Sequence, residues 1–91
     1  MALEAEAISR IDALIEALGG EGDAHTFEQA LVRLLPGIAC RHCDASDVLE
    51  EPFRQAAGVD LHMLDASAHC IRVTGDPAEA TALLLASRVP A

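Results

Sequence analysis

The sequence predicts an α+β fold, a two-layer sandwich in which a three-stranded, mainly antiparallel sheet carries helices on one face, in the order α-α-β-β-β-α. Three observations lead there. Two amphipathic stripes of helical period occupy the first third, two runs alternating apolar and polar follow at Val59–Met63 and His69–Thr74, and a strongly capped apolar run closes the chain. Ninety-one residues suit one compact domain and leave little room for a large buried active site.

In Met1–Leu18, Leu3, Ala7, Ile11, Leu14, Ile15 and Leu18 fall on one side, while Glu4, Glu6, Asp12 and Glu16 lie largely elsewhere. Gly19 and Gly20 stop this helix. The segment Gly19-Gly20-Glu21-Gly22-Asp23 reads as a flexible joint, because no strand precedes it and its carboxylates repel phosphate. The chain thus divides into an N-terminal helix at 1–18, a glycine-rich joint at 19–23 and a small α+β domain at 24–91. The first helix can pack on its own domain, pair with a second copy as a homodimer, or enter a partner's groove.

Thr26 and Gln29 resemble a capping box for a second helix, carried by Phe27, Ala30, Leu31, Leu34 and Leu35 and ended by Pro36-Gly37. Ile38–Cys43 is a short strand with Ile38, Cys40 and His42 on one side and Ala39, Arg41 and Cys43 on the other. From Asp44 to Gly58 the pattern is irregular and acidic, a loop with one helical turn at most, in which Val48, Leu49 and Phe53 are scattered apolar anchors. The next two strands form a hairpin about the turn Asp65-Ala66-Ser67-Ala68, with Val59, Leu61, Met63, Ile71 and Val73 toward the core. Asp76, Pro77 and Glu79 are an N-cap, a proline at the first helical position and an acid three residues after the cap. They predict a third helix whose stripe is Ala80, Leu83, Leu84 and Ser87, widened by Leu85 and ending near Arg88.

In that arrangement the opposite face of the sheet presents Ala39, Arg41 and Cys43, then Asp60, His62 and Leu64, then Cys70, Arg72 and Thr74. Only the first helix is left to cover it. Arginines and an aromatic side chain tend to carry interface energy, so Arg41, His62 and Arg72 on the sheet and Phe53 in the loop are the candidate partner-binding residues.

Fifteen acidic residues against six basic ones give a formal charge of −9, with two phenylalanines and no tryptophan or tyrosine. That balance argues against nucleic acid and anionic membranes as partners. No apolar run is long enough to span a bilayer. Three cysteines and the lack of a secretory leader point to reduced thiols in the cytoplasm.

Cys40-Arg41-His42-Cys43 has the C-x-x-C spacing of dithiol and zinc sites, but in a strand its two thiols point to opposite faces. A metal or redox carrier would draw its ligands from Cys40, Cys43, His42, His69 and Cys70. Asp60 and His62 share a strand face, a pairing that can orient a catalytic histidine, yet no nucleophile is placed beside them. His25, Ser46 and Ser67 suit capping and turn roles. The residues describe no enzyme and imply no cofactor.

Leu35-Pro36-Gly37 after an apolar helix, the turn Cys43-Asp44-Ala45-Ser46-Asp47, Ser67-Ala68-His69-Cys70 leading into a strand and Asp76-Pro77-Ala78-Glu79-Ala80-Thr81 opening the last helix form a set. Together they resemble a family of small acidic proteins from bacterial nitrogen-fixation gene clusters, of the nitrogenase-associated factor T type. The resemblance spans roughly residues 27–86. It implies a cytoplasmic, non-enzymatic accessory factor that binds nitrogenase, above all its molybdenum-iron protein, during cofactor maturation, protection or repair. It supplies no catalytic motif.

Overall fold

The computed structural model describes residues 3–18, 24–56, 58–67 and 70–88. The joint at 19–23 and His69 lie outside them. Two helices, α1 (Ala5–Leu18) and α2 (Ala24–Leu34), precede five strands: β1 (Ala39–Asp44), β2 (Arg54–Ala56), β3 (Val59–Asp65), β4 (Arg72–Thr74) and β5 (Ala82–Ser87). Short 3-10 turns follow β1 (Ala45–Asp47) and β4 (Pro77–Glu79). The class is α+β, as the sequence indicates, but the sheet is mixed and five-stranded.

Two elements depart from expectation: Arg54–Ala56, expected within the irregular acidic loop, pairs with β3 as β2, and Ala82–Ser87, expected as a helix, is the strand β5. The cap itself is real, since the Ala78 amide donates to Asp76 Oδ1 at 2.9 Å and Pro77 opens the turn. It nucleates a single 3-10 turn. Glu79, rather than reaching back to a free amide, accepts from the Thr74 hydroxyl at 2.9 Å and from Arg72 at 3.0 Å. The chain then joins the sheet at Thr81, whose amide donates to the Leu64 carbonyl at 2.8 Å. Ala82-Leu83-Leu84-Leu85-Ala86 runs between β1, in parallel, and β3, antiparallel. A strand covered on both faces reads as a continuous apolar run, and so short a run does not distinguish strand from helix by periodicity.

The sheet order is β1-β5-β3-β2, with β4 also pairing β3. Because β5 takes the other side of β3, the short strands β2 and β4 share one edge. β2 lies against Val59–Leu61 and β4 against Met63–Asp65, which leaves a notch between them at His62. Between β2 and β3, Gly58 sits at φ 71°, a left-handed conformation open to glycine at little cost.

Both helices pack on one face. Leu3, Ile11, Phe27, Leu31 and Leu35 meet Val59, Leu61, Met63, Leu83 and Leu85, with Ala7, Ile8, Leu14, Ile15, Leu18 and Cys40 alongside. The apolar side of α1 is therefore spent on its own domain. Asp12 of α1 accepts from Arg54 Nε at 2.6 Å, and the Leu3 amide donates to the Pro77 carbonyl at 2.9 Å. α2 begins at Ala24, two residues ahead of the expected Thr26 cap.

Candidate interaction surface

Strand alternation puts Ala39, Arg41 and Cys43 of β1, Ala82, Leu84 and Ala86 of β5, Asp60, His62 and Leu64 of β3, and Val73 of β4 on the face away from the helices. Pairing aligns them in rows, with Arg41 beside Leu84 and Leu84 beside His62. The expected parity holds for the first two strands and fails for β4. Leu64 opposes Val73, so Val73 lies on this face, while Arg72 and Thr74 sit on the helix side.

This face is not bare, and α1 does not cover it. β1 and β2 stand at opposite edges of the sheet, so their connection, residues 45–53, must cross. It does so over this side: Asp47, Val48 and Glu50 share a groove with Cys43, Leu64, Val73 and Leu84, and Glu51, Pro52 and Phe53 close over His62. Asp44 starts the crossing by accepting from the Ser46 amide and hydroxyl, both at 2.9 Å, which hold its carboxyl below the usual range, the amide foremost. The Phe53 amide ends it by donating to the Leu61 carbonyl at 2.8 Å. In between, Leu49 stands 94 % exposed.

The four residues expected to meet a partner are thus scattered in role. Arg41 is exposed on β1 and makes no ion pair among the described residues. His62 is 2 % exposed with Nδ1 lacking a partner, so it presents nothing to a surface while residues 51–53 lie over it. Its expected companion Asp60 is instead paired with Arg88. Arg72 bridges Asp65 and Glu79, at 3.0 Å each, and ties the β3–β4 turn to the second 3-10 turn. The Ser67 hydroxyl and amide, and then Arg72, keep the Asp65 carboxyl below the ordinary range. Phe53 is half-buried against the core, with the Arg54 guanidinium 4.3 Å over its ring. Arg54 in turn holds the Asp12 carboxyl low by its hydrogen bond.

The cysteines do not converge. Cys40 faces the helices beside Leu83, and Cys43 faces the groove beside Ala86. Burial, and then Glu28, push the Cys40 thiol up; burial, then Asp47 and Asp44, do the same to Cys43. Neither has the electropositive setting that makes a thiolate. His42 is engaged by Glu28, 2.6 Å from its Nε2, and Cys70 is exposed. Among the described residues no three His, Cys, Asp or Glu side chains form a set able to hold a metal ion. No described helix is long and apolar enough to cross a membrane.

Sequence reasoning missed Leu84, Val48, Val73 and Ile71 as a surface, with Asp47 and Glu50 beside them. The signal was present in Ala82–Ala86. Read as a two-faced strand, that run puts Leu84 on the side opposite Leu83 and Leu85. Searches against protein-family models, curated proteins and solved structures found no match to this chain.

Proposed function

We propose that this protein is a non-enzymatic, nitrogenase-associated accessory factor that binds the molybdenum-iron protein during maturation, protection or repair. The partner is inferred from the sequence motifs set out above. The mode of action is supported by one structural observation: beside the free guanidinium of Arg41, the aliphatic side chains of Leu84 and Val73, packed around the buried Leu64, are only partly covered by the acidic 45–53 connection. An apolar floor with a charged margin has the make-up of a recognition surface. Selecting one assembly state of the partner requires different affinities for its states, and a surface on a rigid sheet can supply them.

The thiol-dependent carrier has less support, because Cys40 and Cys43 could meet on one metal only if β1 were broken. Anaerobic capture from nitrogen-fixing cells tests the proposal. The tagged full chain is expected to recover a nitrogenase component, and Arg41→Glu to recover less of it. Recovery of the protein alone, carrying zinc or iron lost on replacing Cys40 and Cys43, would return the function to the carrier.

A further inference from the structure

The groove beneath the 45–53 connection has a chemistry that narrows what fits it. Its volume is about 470 Å³. Leu64, Val73 and Leu84 form its floor, Val48 and Ile71 its sides, and Asp47 and Glu50 its rim. Ile71 is 43 % exposed, large for an isoleucine with apolar neighbours to pack on. Every apolar side chain here is aliphatic, so a planar ligand finds no ring to stack on. Of the cations, Arg72 lines the groove but is already neutralised by Asp65 and Glu79, and Arg41, beside Leu84 on β1, is not part of the lining. Asp47 and Glu50 make no ion pair among the described residues, and the whole chain carries −9. An anionic ligand or lipid surface meets repulsion, while a cation beside an aliphatic group meets attraction on both counts.

Resting on the reading of this protein as a protein-binding factor, we propose that this groove is the docking site for a short segment of the partner in which aliphatic side chains alternate with arginine or lysine. The aliphatic groups lie on Leu64, Val73 and Leu84, and the cations answer Asp47 and Glu50. Cys43 lines the groove, where a bound segment shields its sulfur.

The test uses the full chain and a fluorescein-labelled Arg-Leu-Arg-Val-Arg-Leu peptide. Asp47→Lys with Glu50→Lys is expected to weaken binding about tenfold, and added salt to weaken it in the wild type. A charge-matched control, Glu4→Lys just ahead of α1 with Glu16→Lys on its exposed side, is expected to change it less than about twofold. Ile71→Ser, which leaves charge alone, also weakens it. Bound peptide slows N-ethylmaleimide modification of Cys43 and leaves Cys40, on the opposite face, unchanged.

Equal loss in the rim and control variants, or an unprotected Cys43, overturns the groove assignment. Capture of a nitrogenase component by wild type and rim variant alike also overturns it while leaving the accessory-factor reading intact. Peptide seated on Cys43 with no nitrogenase component captured upholds the groove and removes that partner.

Discussion

Replacing Ala86 with glutamate separates a central strand at Ala82–Ser87 from the helix that its cap suggests. In a helix over this segment, Ala86 turns away from the Ala80, Leu83, Leu84 and Ser87 stripe toward water. In the sheet it is fully buried, directly opposite Asp60 on one side and Cys43 on the other. Arg88, the cation nearest Asp60, is already bound to that carboxylate and to the Val59 and Ala56 carbonyls. The new carboxyl thus has no donor to meet and a like charge across the strand. Overpacking costs about 1–3 kcal/mol and an unpaired buried polar group a similar amount, so a loss of about 3–5 kcal/mol is expected. A 91-residue domain has roughly 5–14 kcal/mol to lose. At about 4–8 °C per kcal/mol the midpoint falls by roughly 12 °C or more, and the deficit shrinks in acid as the new carboxyl protonates. With no tryptophan or tyrosine to follow, urea and thermal unfolding are read by far-UV circular dichroism. Ala13→Glu, on the exposed side of α1, is the reference and stays within about 0.5 kcal/mol. Ala86→Glu matching that reference would refute the strand.

Further expectations concern the rest of the molecule. Gly58→Ala forces a side chain into a left-handed turn residue and lowers stability by about 1–2 kcal/mol in urea titrations, although nothing lies close enough to clash. Asp12, Asp44 and Asp65 all have folded pKa values below the ordinary carboxyl value, so their contribution is present above that value and lost as pH falls through the folded ones. Stability should therefore decline below about pH 4, and Asp12→Asn, removing an exposed pair, should flatten part of the decline at a cost under about 1 kcal/mol near neutrality. Asp76→Ala strips the acceptor from the Ala78 amide and costs about 1 kcal/mol. Anaerobic equilibrium dialysis with zinc should leave no stoichiometric metal held by Cys40 and Cys43 together. One equivalent lost on replacing either would show that β1 opens.

Where a segment touches the core through one face only, its sequence declares its structure. Ile11 in α1 and Phe27 and Leu31 in α2 read correctly for this reason, while β3, buried on both faces, stays legible because the polar Asp60 and His62 keep its alternation with Val59, Leu61 and Met63. The Cys40 and Cys43 thiols, expected on opposite faces of a strand, are found there. β5 hid itself because residues buried on both sides erase the period, and a sound local cap pointed to the wrong continuation. Losing β5 also hid the crossing: only with β1 and β2 at opposite edges must residues 45–53 traverse the sheet, bury His62 and build the groove. Arg72 looked like a recognition residue because Asp65 and Glu79, each seven positions away, are brought to it only by the folded turn.

Recognition of the molybdenum-iron protein through the groove face is the proposal on which the function rests. Anaerobic titration of purified molybdenum-iron protein with the full chain, wild type beside Asp47→Lys with Glu50→Lys, tests it most directly. Saturable binding that weakens with salt and falls about tenfold in the variant is the expected result. An absence of binding by the wild type, or binding indifferent to the rim charges, would contradict it.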